Sequence, residues 1–190
     1  MKKYLKMTLP FMLIGTMTLT VPTELSANAA TSTSKTMVAQ ETAHLSQTQK
    51  VALAYYIKGY ERYTFTRQEI KNGKYTVRWM NNEKYVYPLK TIYLVKQSNK
   101  SKNGVKSMEG APKDMVFYHV LPSKSNFATV VGVSRTQVVI GGTQNASSYK
   151  DFVKGAKVEN LQTLYRQYHK DPLYARIAHQ MVIRTTYPHQ

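Results

Sequence analysis

Beyond the N-terminus, the densest apolar, β-branched and aromatic runs lie between Met115 and Gly142. Met115 to Leu121 ends at Pro122, Phe127 to Val133 ends at Ser134 and Arg135, and Thr136 to Ile140 ends at Gly141 and Gly142. Short runs of this composition, closed by turn residues, predict three strands. Their connections are too short for a crossover helix, so antiparallel neighbours are expected. Alternation along the first strand puts His119 on one face with Met115, Phe117 and Leu121, and Tyr118 and Val120 on the other. The double glycine reads as a strand end where the backbone turns sharply. It is not a phosphate loop, since neither GxxxxGK[ST] nor GxGxxG before a helix occurs.

Helical periods flank this centre. Ser46 to Gln49 matches a capping box, and Leu53, Tyr56, Ile57 and Tyr60 recur at helical spacing, predicting a helix to about Lys58 with Gly59 as its C-cap. From Tyr63 the period changes. Asn72 and Gly73 tolerate positive φ, and with β-formers on both sides they predict a hairpin in which Glu69 and Arg78 can pair across the strands. Further strands are expected over 85–87 and 91–95, with Pro88 at an edge or break. Ser148 to Asp151 is a second capping signal, ahead of a short turn carrying Tyr149, Phe152 and Val153. Leu161, Leu164, Tyr165 and Tyr168 predict a helix from about Val158 to His169. Asp171 and Pro172 then supply an N-cap and N1 for another helix, whose buried stripe is Tyr174, Ile177, Ala178, Met181 and Val182. The fold class that follows is α+β, a mainly antiparallel sheet with an N-terminal helix and a C-terminal helical hairpin packed on it.

The N-terminal residues read as an address. Lys2, Lys3 and Lys6 precede an apolar stretch from Met7 to Val21, and Ala27-Asn28-Ala29 fits a signal peptidase site, so residues 1–29 are expected to be cleaved. Residues 30–44 are polar and small, which predicts a disordered linker, and residues 45–190 make one domain large enough to bury a core. The absence of cysteine excludes disulfides, thiolate metal sites, a cysteine nucleophile and a lipid-modified N-terminal Cys. The chain carries 27 basic and 10 acidic residues; without residues 1–29 these become 24 and 9, a net charge of +15. Such an excess invites polyanions, and for a secreted protein these are teichoic acid, acidic polysaccharide, nucleic acid or an anionic membrane surface. Nothing in the pattern indicates specific DNA recognition. The most concentrated basic segment runs from Gln97 to Pro112, where Lys96, Lys100, Lys102, Lys106 and Lys113 face only Glu109 and Asp114. Lysines on flexible stems neutralise phosphates without fixed geometry, so these five are the candidate polyanion-binding residues. The alternative is a solvated loop without a partner.

Catalytic signals are sparse. No G-x-S-x-G is present, and the carboxylates are scattered singly. His44 lies in the predicted linker and His189 beside the C-terminus, His169 closes a helix, and His179 flanks a buried stripe. One ribonuclease-like trio can be assembled, with Glu69 as base, Arg78 as phosphate clamp and His119 as acid. His169 and Asp171 are a weak metal pair, because Asp171 is already explained as a cap, and no cofactor or metal is expected. Tyrosines interleaved with Lys and Arg over 55–63, and the single Trp79, suit either a small core or a stacking surface.

The segments VFYHV (116–120), FATVVGVS (127–134), TQVVIGGT (136–143), YKDFV (149–153) and LQTLYRQY (161–168) resemble the C-terminal part of small exported or lipoprotein-type domains of low-GC Gram-positive bacteria such as lactobacilli, listeriae and staphylococci. The resemblance covers the last half of the mature chain. It implies a compact α+β domain at the cell envelope and transfers no site residues, and the chain departs from the lipoprotein members in having no lipobox Cys. The leading expectation is a noncatalytic secreted domain, free or held noncovalently at the wall, that binds an anionic polymer. Two alternatives stay open: a secreted nuclease-like hydrolase of polyanions, and an adhesin or inhibitor for a host protein.

Overall fold

The computed structural model describes residues 36–78, 83–97, 108–144 and 148–188, all within the compact unit Lys35–Gln190. In chain order the elements are helices α1 (36–43) and α2 (Gln47–Ala52), 3-10 turns at Leu53–Tyr56 and Tyr60–Arg62, helix α3 (Arg67–Asn72), and strands β1 (Lys74–Arg78), β2 (Lys84–Pro88) and β3 (Ile92–Lys96). Strands β4 (Val116–Leu121), β5 (Ala128–Val133) and β6 (Gln137–Thr143) follow, then α4 (Tyr149–Gly155), β7 (Lys157–Asn160), α5 (Leu161–Tyr168), α6 (Pro172–Gln180) and β8 (Met181–Arg184). The class is α+β, as the pattern predicts. A six-stranded sheet in the order β7-β6-β5-β4-β3-β8 is antiparallel throughout except for the parallel β3–β8 pair, and β1 and β2 form a separate antiparallel hairpin.

Alternation along the three central strands divides the apolar residues between two layers. Tyr118, Val120, Val131, Val133, Val138 and Ile140 enter the main core, with α2, the following 3-10 turn, α5 and α6. Phe117, Val130 and Val139 face the opposite way and close a smaller cluster with Met108 and Phe152. The N-terminal helix begins as expected: the Ser46 hydroxyl accepts from the Gln49 amide, and the Gln49 side chain accepts from the Ser46 amide. Val51 to Ile57 is buried on every side, because the sheet covers one flank and the C-terminal helices the other. Its outer contact is aromatic, with the Tyr56 and Tyr168 rings stacked at 4.6 Å.

Several expectations are corrected. The Asn72-Gly73 pair does not turn a hairpin. Thr66 and Glu69 form a reciprocal capping box that starts α3, and Gly73, at φ 67°, is its left-handed C-cap leading straight into β1. The same tolerance of positive φ serves a helix end as well as a hairpin, and the cap at Thr66 decides which. Glu69 and Arg78 are therefore not cross-strand partners; β1 pairs with β2, so Arg78 opposes Lys84.

The predicted linker is helical over residues 36–43, where Thr42 is buried and its hydroxyl donates to the Val38 carbonyl at 2.9 Å. Alanine, glutamine and glutamate in this segment favour helix once a surface is available to cover. Residues 157–160 are an edge strand rather than the first turn of α5, with the Asn160 side chain capping that helix. Helix α6 stops at Gln180, and Met181 to Arg184 continue as β8, where the β-branched Val182 and Ile183 extend the sheet. The predicted N-cap at Asp171 is present, accepting from the Leu173 amide at 2.8 Å.

Gly141 and Gly142 do not end β6; they pair within it against Val130 and Thr129. They are small because aromatic rings occupy the space. A Cβ at Gly141 would sit 2.7 Å from Ala156 Cβ and 2.8 Å from the Phe152 ring. At Gly132 an added Cβ would meet the Phe117 ring at 2.6 Å and Val139 at 2.7 Å. Gly132→Ala should therefore destabilise the fold by about 1–3 kcal/mol through overpacking in the second cluster, as measured by denaturant titration.

Candidate functional site

A cleft of about 1180 Å³ opens between α3, the β1–β2 hairpin, the 3-10 turn Tyr60–Arg62 and the loop that joins β4 to β5. Its lower part is organised by one carboxylate. The capping box fixes Glu69 at the third residue of α3, where Oε2 accepts from the Thr66 amide at 2.8 Å and the Thr66 hydroxyl at 3.1 Å. Oε2 also receives the Lys124 ammonium at 2.6 Å, and Oε1 accepts from the Thr76 amide of β1 at 3.1 Å. One side chain thus ties a helix start, a hairpin strand and the β4–β5 loop. Burial pushes the Glu69 carboxyl up, but the bond from Lys124, the two backbone amides and the Lys124 charge together outweigh it and leave it below the usual carboxylate range.

Around this floor stand cations and hydroxyls. Arg78 and Lys84 are directly opposed on the hairpin, and both line the cleft. Among the described residues neither has a carboxylate partner. Like charges in this register are mutually unfavourable unless solvent or an anion lies between them. Glu61 and Arg62 contribute from the 3-10 turn, whose chain is held by the Tyr63 carbonyl accepting from the Thr129 hydroxyl and by the Tyr63 hydroxyl donating to the Gly155 carbonyl. Thr64, Thr76, Ser123, Ser125 and Asn126 add uncharged polar groups. Chemically the lining combines cations with hydroxyl and amide groups, a donor set that suits an anionic or hydroxylated ligand.

The predicted trio is not brought together. Glu69 and Arg78 both line the cleft, but His119 does not. Its register partner Val130 belongs to the second cluster, so the imidazole lies on the sheet face opposite the main core. There His119 Nδ1 is 3.1 Å from the Tyr187 hydroxyl, and burial lowers its pKa. The charge partner of Glu69 is Lys124, not Arg78.

Of the five candidate polyanion-binding lysines, Lys96 at the end of β3 and Lys113 are exposed, and Lys100, Lys102 and Lys106 lie outside the described residues, as do His189, Trp79 and the predicted signal peptide. Asp114 is taken by Arg135, through the backbone amide at 2.8 Å and Nε at 3.2 Å. The His169–Asp171 pair is otherwise engaged: His169 Nδ1 is 2.8 Å from the Tyr165 carbonyl, and Asp171 caps α6 and accepts from the Tyr56 hydroxyl at 2.9 Å. Among the described residues no three metal-ligating side chains cluster.

Arg62, Lys84, Lys124 and the two serines of the β4–β5 loop were not distinguishable in the sequence as site residues. The pattern Thr66-x-x-Glu69 does announce a capping box, and it would have moved Glu69 from a strand to a helix start. No linear signal joins position 69 to position 124. No family model, curated protein or solved structure matches this chain.

Glu69→Gln should cost about 1.5–3 kcal/mol at pH 7, the range for hydrogen bonds to a charged group. Because the folded carboxyl titrates below its unfolded value, that contribution is complete above the unfolded value and disappears as pH falls through the folded one. Thermal melts of wild type and variant should therefore converge between pH 5 and strongly acidic pH, on the order of the window in which paired carboxylates titrate.

Proposed function

We propose that the protein is an exported, noncatalytic domain that binds an anionic polymer of the cell exterior, with teichoic acid, acidic polysaccharide and nucleic acid as the chemical candidates. The observation that carries this reading is the cleft, in which Arg62, Arg78, Lys84 and Lys124 converge against two carboxylates, one of them already used to hold Lys124. The net charge, 24 − 9 = +15 without residues 1–29, supplies a long-range field toward the same ligands, and a cleft concentrates such a field locally. Its volume exceeds what one small anion needs and suits a stretch of polymer. Lys96 and Lys113 extend the basic character elsewhere on the surface, and the five-lysine segment is a secondary contact in this reading.

The hydrolase alternative loses support from the same geometry. Glu69 already accepts four hydrogen bonds, its depressed pKa makes it a weak base, and His119 is on another face. Binding to a host protein has no specific observation in its favour.

Purified chain should be retained on isolated Gram-positive walls at low ionic strength, released by added salt, and retained less after teichoic acid is stripped. The triple variant Arg62→Ala, Arg78→Ala, Lys84→Ala should bind more weakly and show a log–log salt slope shallower by roughly two, as expected for three lost phosphate contacts on a single-stranded polymer. Salt-independent retention, or a triple variant that binds like wild type, would refute the reading.

A further inference from the structure

Within the cleft, one donor is not exhausted by the fold. Lys124 Nζ gives a single hydrogen bond, to Glu69, and no other partner for it occurs among the described residues. An ammonium carries three donors, so two remain. The side chain is only 22% exposed, unlike an ordinary solvated lysine, yet it lines the cleft. Glu69 is the converse case, with its carboxylate oxygens filled by two amides, a hydroxyl and the ammonium. A saturated carboxylate has little left for a ligand, and what it does here is hold Lys124 in place.

We propose that Lys124, positioned by Glu69, is the recognition donor of the cleft for a tetrahedral oxyanion, a phosphate or sulfate ester of the bound polymer, while Arg62, Arg78 and Lys84 at the rim take the neighbouring charges. The inference rests on the cleft being the polyanion site. It goes further in naming the group recognised and the residue that selects it. The bidentate fork of an arginine matches carboxylate and phosphate alike and so does not separate them, whereas a compact ammonium presents donors that do not require a planar acceptor. The least exposed of the four cations here is a lysine, and its chain neighbours Ser123 and Ser125, with Thr76 of β1, line the same cleft and add hydroxyl groups from separate segments. Both arginines of the cleft, Arg62 and Arg78, are exposed, where they read net charge more than shape.

The test is isothermal titration of the full chain with tripolyphosphate, followed by competition with inorganic phosphate, sulfate and acetate at matched ionic strength. Phosphate and sulfate are expected to compete and acetate to do so poorly. Inorganic phosphate should bind more weakly than tripolyphosphate, since it leaves the rim unused. Lys124→Met should weaken tripolyphosphate by about tenfold or more, the range for a lost charged hydrogen bond. Lys124→Arg keeps the charge and the Glu69 pair and should lose the preference for phosphate over acetate. Glu69→Gln should lower the same preference while leaving the salt slope set by the rim unchanged, a readout that general destabilisation would not produce. A folded Lys124→Met protein within twofold of wild type overturns the proposal, and if the rim triple variant is weakened in the same assay the polyanion reading survives. Loss of effect in both overturns both. Equal competition by acetate and phosphate also overturns the proposal, and if Lys124→Met does not fold, an unchanged preference in Lys124→Arg does so.

Discussion

The two-residue period of β4, β5 and β6 governs both the core and the site. Tyr118, Val120, Val131, Val138 and Ile140 turn toward α2, α5 and α6, and Phe117, Val130 and Val139 turn the other way, toward α4, so each strand is committed to one register. A slip of one residue would exchange two apolar sets of different size and set the Phe117 ring against α2. The close approach of that ring to Gly132, where no Cβ fits, fixes the register further. The same alternation removes His119 from the chemistry of the cleft. It shares a face with Phe117, and the residues that would have partnered it in phosphodiester transfer, Glu69 on α3 and Arg78 on β1, line the cleft, which His119 does not.

This part of the fold was legible in the sequence because it depends on short-range apolar periodicity and on turn chemistry at Pro122 and Ser134-Arg135. The caps were legible for the same reason: Ser46, Ser148 and Asp171 all cap the helices predicted for them. What failed shares a physical cause, namely that one local signal permits two structures and a distant contact chooses. Asn72-Gly73 permits either a hairpin or a helix end, and the reciprocal bonds of Thr66 and Glu69 choose the helix. Met181 to Arg184 continues the apolar spacing of α6, but the free edge of β3 captures it as a parallel strand. Gly141-Gly142 looks like a turn, while the Phe127 and Phe152 rings require bare backbone within a strand. Residues 36–43 look unstructured in isolation, and nothing local reports the surface on which Thr42 is buried.

The site was less legible than the fold, because it is assembled from four separate segments. Glu69 and Arg78 were picked out for a role that the geometry does not give them. Lys124 was missed because an isolated Ser-Lys-Ser in a strand connection carries no motif. Its importance comes from burial and a partner 55 residues away. That pair should not be read as a large source of stability. A partly exposed ion pair contributes little by itself, and here both side chains are about one-fifth exposed. The larger effect is geometric, since the carboxylate also holds the amides of Thr66 and Thr76 and so sets where α3, β1 and the β4–β5 loop stand around the cleft.

The opposed Arg78 and Lys84 sharpen the functional argument. Two readings compete for them. Cations on an exposed hairpin protect an edge strand from pairing with other chains, and β2, exposed along its length with Tyr85, Val86 and Tyr87 outward, is an edge in need of such protection. Edge protection, however, requires only some charge on each strand of the two-stranded sheet, and β1 already carries Lys74. It does not require a second cation directly across the strand pair, where the two repel, nor a further cation on the facing 3-10 turn and another held at the cleft floor. Like charges drawn together from four segments raise the energy of the free protein, and an anionic ligand lowers it again when it enters between them. In the proposed reading that cost is recovered on binding, and the cleft, rather than the more conspicuous run of lysines before β4, is the principal contact for the anion.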